Sequence, residues 1–236
     1  MKKGKLILIP TTIGDLSTVP NVIPSGVIEQ IRKLDEFIVE KERTARRYLA
    51  NLKIYTPISN VILHEIDKFS DHSFNDSFFE SLNKGKDIGL LSEAGCPGIA
   101  DPGQEIVNRA HEKGFQVIPL TGPSSIFLAL MASGFNGQNF AFHGYIPIKN
   151  PERLRKLKEF EKNVYSHNQT QIFMETPYRN QQLFIDIVNA CSSKLKLCIA
   201  VNLTMENEFI RSMSVEDWKS ETPSLHKQPA IFLIGS

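Results

Sequence analysis

The sequence predicts an α/β protein of two α/β domains, the first around a mainly parallel sheet and the second around a mixed one. Three observations carry this expectation. Short apolar runs alternate with helical patterns through the first half, the order that places a parallel sheet between layers of helices. Late in the chain, three apolar runs crowd together with little helix between them, as antiparallel pairs do. Finally, three strand-like runs of the first half end in Gly/Pro-rich corners bearing small hydroxyl side chains, and open α/β sheets receive ligands beyond the carboxyl ends of their strands.

The first run, residues 5–9 (KLILI), ends at Pro10 and leads into Thr11, Thr12, Ile13, Gly14 and Asp15. Its basic start resembles a secretory leader, but the apolar part is too short, so it reads as a strand. Further strands are expected at 37–39, 61–63, 88–91 and 116–118, with helices over 24–34, 42–52, 73–83 and 103–113. The strand at 88–91 runs into LLSEAGCPGIADPG (90–103), which holds three glycines and two prolines. Glycine lets a ligand approach the backbone closely; the competing reading is an ordinary Gly/Pro turn. After 116–118 comes LTGPSS, where Pro123 suits the first turn of a helix and Ser124 and Ser125 can cap it. That helix, 123–133, is apolar almost all round and is expected to be buried where the two halves meet. The second half predicts strands at 140–143, 171–174, 195–201, 208–213 and 230–234. Its helices start at Asn150-Pro151, with Asn150 as cap, running to about Glu161, and at 181–190. Ser214 should cap a short turn over 214–217. The domains divide as 1–119 and 120–236.

Composition excludes several classes. No run approaches the roughly 20 apolar residues that span a bilayer, so no membrane partner is expected. The three cysteines, Cys96, Cys191 and Cys198, have no paired spacing, which points to a reducing cytoplasm rather than a disulfide framework. Cys96 reads as a small loop residue. The six histidines lack metal-ligand spacing, so no metal is expected. Neither a P-loop nor a Rossmann glycine pattern is present, and the three corners contain no lysine or arginine; a zwitterionic or near-neutral ligand suits them better than a polyphosphate. Net charge is +1, without the basic excess of a dedicated nucleic-acid binder. Arg43, Arg46 and Arg47 nevertheless share a helix face. A second basic patch, Lys149, Arg153, Arg155, Lys156 and Lys158, is diluted by Glu152, Glu159 and Glu161 and reads as a solvated face.

Seven segments, in their order, match a known pattern: PTTIGDL (10–16), VEKERTARRYL (39–49), LLSEAGCPGIADPG (90–103), IPLTGPSS (118–125), FHGYIP (142–147), FMETPYR (173–179) and AVNLTMENE (200–208). The chain resembles the tetrapyrrole methylase superfamily of S-adenosylmethionine-dependent methyltransferases, and within it the members that methylate a ribose hydroxyl of small-subunit (16S) ribosomal RNA. The resemblance implies S-adenosylmethionine held in a cleft between the two domains, largely by backbone groups. Position by position it implicates Pro10, Ile13, Ser92, Glu93, Ala94, Gly95, Ile99, Ser124 and Ser125. On the adenine side it implicates Glu175, Leu203, Thr204, Pro229 and Ala230. It also implies a homodimer, in line with the apolar segments 126–131 and 140–142, and ribosomal RNA or the small subunit as partner. The chain departs from the RNA-methylating pattern at Lys41, Glu93, Tyr178, Asn202 and Met205.

Methyl transfer from a sulfonium asks mainly for alignment and desolvation of the nucleophile, with a base or cation to help a ribose hydroxyl of high pKa. Candidates for that help are Glu40, Arg43, Glu93, Asp101 and Arg179. Asp101 has an alternative role as a helix cap, and Glu93 or Glu40 as a structural partner of Arg43. Two further functions stay open: methylation of a small molecule such as a tetrapyrrole, and a cofactor-binding scaffold without activity, the latter motivated by Lys41, Asn202 and Met205. The first loop, PTTIGD, lacks the glycine-rich pattern usual in the tetrapyrrole branch.

Overall fold

The structure is a computed structural model and describes residues 2–66 and 77–236. The chain divides into two compact units, Met1–Ser124 and Ser125–Ser236. The first unit therefore keeps the corner after residue 119, because Leu120 N donates to Leu8 O at 3.0 Å and Cys96 Sγ to Pro123 O at 3.4 Å.

The first unit runs β1 (Lys5–Ile9), α1 (Val19–Val22), α2 (Ser25–Arg32), β2 (Glu36–Val39), α3 (Glu42–Leu52), β3 (Ile62–Glu65), α4 (Ser77–Asn83), β4 (Ile88–Leu91), α5 (Gly103–Glu112) and β5 (Gln116–Pro119). Its sheet has the order β3-β2-β4-β1-β5, with every pairing parallel. Alternate side chains of a strand point to opposite faces, and each face has its own core. Ile7 and Ile9 of β1 join α2 and α3 through Ile31, Tyr48 and Leu49. Leu6, Ile88 and Leu90 join α4 and α5 through Phe79, Leu82 and Ile106. The expected helix over 73–83 is described only from Ser77, and residues 73–76 lie outside the described part. The short helix α1 and the 3-10 turn Leu16–Thr18 before it were not expected, since four residues containing Pro20 carry no helical period.

The second unit runs α6 (Ser125–Ser133), β6 (Phe140–Tyr145), α7 (Asn150–His167), β7 (Thr170–Met174), α8 (Asn180–Ala190), β8 (Lys196–Val201), β9 (Phe209–Ser214), α9 (Val215–Trp218) and β10 (Ala230–Gly235). The sheet order is β6-β7-β10-β8-β9. β6 and β7 are parallel, and β10 lies antiparallel between β7 and β8, which makes the sheet mixed. One face packs Phe160, Phe173, Phe232 and Trp218; the other packs α6 through Ile126, Ala129 and Leu130 onto Cys198, Ile231 and Leu233.

Three expectations need correction here. α6 is not buried all round: Phe127 is 53% and Met131 79% exposed, because the helix has only one sheet face to cover. Helix α7 does not end near Glu161 but continues to His167, since Phe160 and Val164 extend its buried stripe, and it stops at Asn168, whose φ of 47° is left-handed. Asn150 is its first residue rather than its cap; Lys149 holds the cap position without a side-chain bond. Ser214, by contrast, accepts from Asp217 N as the cap of α9.

A buried acid anchors the amino end of the first sheet. Glu36 is 3% exposed, with His64 Nε2 at 2.8 Å and Lys86 Nζ at 3.0 Å. Burial pushes its carboxyl up, but hydrogen bonds from His64, Lys86 and Ser81 outweigh it and the net shift is downward. A carboxyl held lower in the folded state stabilises the fold above its unfolded pKa and loses that stabilisation as pH falls through the folded value. Chemical denaturation across pH 6 to pH 3 should thus show stability dropping on acidification. Glu36→Gln should flatten that drop; an unchanged slope in the variant would exclude Glu36 as its source.

Candidate active site

The carboxyl ends of β1, β2 and β4 meet helix α3 around a cavity of about 590 Å³ in the first unit, within the range of small-ligand sites. Its walls are Thr11, Thr12 and Asp15 after β1, Glu40 after β2, Ser92 and Glu93 after β4, and Thr44, Arg47, Tyr48 and Asn51 on α3. On α3 these four residues recur at i, i+3, i+4 and i+7, one face of a helix.

The corners around the cavity are tied to one another. Thr11 N donates to Gly95 O at 2.9 Å. The buried hydroxyl of Tyr48 donates to Pro10 O at 2.8 Å, and burial raises its pKa. Thr44 Oγ1 donates to Lys41 O at 3.0 Å and also bonds Glu93 Oε1. Ser92 Oγ donates to Ala94 O at 2.9 Å and accepts from Ala94 N at 3.2 Å, turning the chain after β4. Gly95 sits at φ 72°, where only glycine is unstrained. Thr11 is 5% exposed, and its Oγ1 is buried without a hydrogen-bond partner.

The sequence-derived candidates separate on these facts. Glu40, Ser92 and Glu93 line the cavity, whereas Pro10, Ile13, Ala94, Gly95 and Ile99 lie in the same loops without lining it. Asp101 Oδ1 accepts from Gly98 N at 2.7 Å and from Gly103 N at 2.9 Å, so its carboxylate closes the loop ahead of α5. Burial, with Glu40 adding, raises its pKa against those bonds. Glu93 is held by Thr44 rather than by Arg43. Arg43 is exposed and makes no ion pair with Glu40 among the described residues. Arg46 is occupied by Ile58 O at 2.8 Å and by Glu42 at 3.2 Å. The Cys96 thiol is pushed up by burial and by Asp101, the wrong direction for a nucleophilic thiolate. No cluster of potential metal ligands exists among the described residues.

A second polar site forms in the second unit, where strand register brings its members together. Met174 pairs with Ile231 and Val201 with Ala230, so Glu175 and Asn202 flank the start of β10 at Pro229 and Ala230. Asn202 N donates to Pro229 O at 3.1 Å. Glu175 is 4% exposed and takes Arg179 Nη2 at 2.6 Å and Thr176 N at 2.7 Å. Burial pushes its carboxyl up, but Arg179 and the Thr176 amide outweigh it, so the net shift is downward. Arg179 therefore serves Glu175. Asn202 and Thr204 adopt φ values of 51° and 70°, strain of a kind that clusters at functional sites. Asn202 Nδ2 donates to Gln228 Oε1 at 2.6 Å, a partner that no sequence signal marked. Glu175 Oε2 and Thr204 Oγ1 are buried without partners. In the other candidate basic patch, Arg153 is buried against Asp186, and Lys156 and Lys158 pair with Glu159 and Glu161. Arg153 thus leaves the solvated face to which the sequence assigned it.

Residues 6–218 match the family of tetrapyrrole (corrin/porphyrin) methylases. The chain belongs to that family. It is a methyltransferase. Among similar proteins is the ribosomal RNA small subunit methyltransferase I of Vibrio cholerae, 29% identical over 97% of this chain and 76% of the relative. The protein of the same name from Bacillus subtilis is 31% identical over 92% of this chain and 71% of the relative. Among solved structures, the methyltransferase CobJ aligns with a TM-score of 0.64 at 16% identity, covering 99% of this chain and 94% of that one. A cobalt precorrin-4 methyltransferase aligns at 0.62 and 16%, covering 98% and 94%. At that identity the structural likeness speaks for the fold.

Proposed function

We propose that the protein transfers a methyl group from S-adenosylmethionine to a ribose hydroxyl of small-subunit ribosomal RNA. The observation that carries this is the first-unit cavity, walled by carboxylates, hydroxyls and Arg47 beside the knitted Gly/Pro corners, in a chain whose relatives, matched over more than nine-tenths of its own length, carry that RNA in their names.

The residues fit the cofactor. Thr11 Oγ1, Glu175 Oε2 and Thr204 Oγ1 are buried polar atoms without partners, which cost stability unless a ligand satisfies them. The corners lack phosphate clamps. When bound, S-adenosylmethionine supplies an activated methyl group. Holding it falls to Pro10, Ile13, Ser92, Glu93, Ala94, Gly95, Ile99, Ser124 and Ser125, and to Glu175, Leu203, Thr204, Pro229 and Ala230. Glu40 and Glu93 are the carboxylates that can take the proton of a hydroxyl in the cavity.

A homodimer is part of this reading, because the exposed Phe127 and Met131 on α6 give a C₂ contact an apolar face. So is a cytoplasmic location, where ribosomal substrate is found and the free cysteines stay reduced. Methyl transfer from labelled S-adenosylmethionine tests the function. Small ribosomal subunits lacking the modification should be labelled and free tetrapyrroles not. The reverse outcome would overturn the substrate, and label in neither would favour a scaffold.

A further inference from the structure

The large cavity is not isolated. A second hollow of about 390 Å³ shares Leu16, Ser17 and Asn51 with it and extends to Arg32 and Lys53. The two thus adjoin at these three residues and together make a groove beside α3. Its basic residues fall into two groups. Arg32 is occupied, with Nε on Leu52 O at 2.8 Å and Nη1 facing Glu29 at 3.6 Å, and Arg46 is occupied as described above. Arg43, Arg47 and Lys53 are exposed and hold no ion pair or side-chain hydrogen bond among the described residues. Arg43, Arg47 and Asn51 recur at i, i+4 and i+8, one stripe of α3. Arg47 and Asn51 line the large cavity and Lys53 lines the small one. From Arg43 to Asn51 the stripe spans about 12 Å at the helical rise, and Lys53 follows just past the end of α3, so the cations cover a length that suits more than one phosphate.

We propose that this groove is a track for a single RNA strand, with the methylated nucleotide in the large cavity, a neighbouring nucleotide in the small one, and the phosphates between them held by Arg43, Arg47 and Lys53. The proposal rests on the ribosomal RNA reading above and adds the path of contact. Charge decides in favour of a nucleic acid over a neutral ligand: Arg47 and Lys53 line the groove as unpartnered cations, and Arg43 lies one turn before Arg47 on α3, in a chain whose net charge is only +1. The large cavity also carries the acids Asp15, Glu40 and Glu93, which suit sugar and base donors, while the phosphates keep to the cations. Position along the strand is set by such phosphate contacts.

The test compares wild type with the triple variant Arg43→Gln, Arg47→Gln, Lys53→Gln. The probe is small ribosomal subunits from a strain lacking the protein, with affinity measured over a series of salt concentrations. Each lost phosphate contact removes about 0.7 from the log–log salt slope for a single strand, so the variant should lose about 2. KM for subunits should rise, and the melting shift given by S-adenosylhomocysteine, whose holding residues are left in place, should not change. A charge-preserving triple, Arg43→Lys, Arg47→Lys, Lys53→Arg, should keep the slope. An unchanged slope in the glutamine variant, with the wild type still binding and methylating subunits, overturns the track alone. Failure of the wild type to bind or methylate subunits overturns the RNA reading and the track with it.

Discussion

Replacing Arg153 with Met is expected to destabilise the protein by about 3–5 kcal/mol, because it strands a buried carboxylate. Arg153 and Asp186 have side chains only 6% and 7% exposed, with Nη2 2.7 Å from Oδ2. The approach is close but off the hydrogen-bond angle, since Arg153 Nε and Asp186 Oδ2 have no hydrogen-bond partner. Gln182 Nε2, at 2.9 Å from Oδ1, is too little to hold Asp186 alone. Arg153 also helps keep the Glu175 carboxyl ionised, so its loss should weaken the polar site at the start of β10. A pair this imperfect stabilises little beyond an apolar packing of the same volume. Arg153→Met with Asp186→Leu should therefore recover most of the loss. Denaturant unfolding of the three proteins checks this; a single variant within about 1 kcal/mol of wild type would show that the pair is hydrated.

Gly122→Ala should cost the protein its response to the cofactor. A Cβ at Gly122 would lie 2.3 Å from both Cβ and Cγ of Pro10, a rigid ring that cannot swing aside. The strand end after β1 must then move, although Tyr48 holds Pro10 O and Gly95 O holds Thr11 N. Such overpacking costs about 1–3 kcal/mol and displaces the three corners together. With S-adenosylhomocysteine at a hundred times its Kd, wild type should gain about 2.7 kcal/mol and the variant little or nothing. Gly26→Ala, where an added Cβ meets nothing within 4 Å, is the control and should keep the full gain. Equal gains in both variants would remove the first corner from the cofactor site.

The sheet architecture was legible because the strands are short, apolar and separated by amphipathic helices; α3 runs Glu42–Leu52, as its pattern predicts. The three corners were legible for a different reason: glycine and proline mark places where the backbone does something a side chain would obstruct. What the sequence did not reveal is the partner of each polar side chain. Asp101 reads as base or cap, and only its two bonds to Gly98 and Gly103 amides show it closing a loop. Arg46 and Arg47 look equivalent in sequence, yet one is occupied by Ile58 and Glu42 and the other lines the cavity. Thr44, Tyr48 and Asn51 were missed as wall residues, although their helical spacing beside Arg47 was a usable signal once α3 was placed at the strand ends. Gln228 carried no signal, because its contact with Asn202 depends on β10 entering between β7 and β8.

The most direct measurement is a map of ribose methylation in small-subunit ribosomal RNA from cells with the protein, cells without it, and cells without it that carry a restored copy. A 2'-O-methyl ribose present in the first and third and missing in the second is the expected result. Identical maps in all three would contradict a ribosomal RNA substrate.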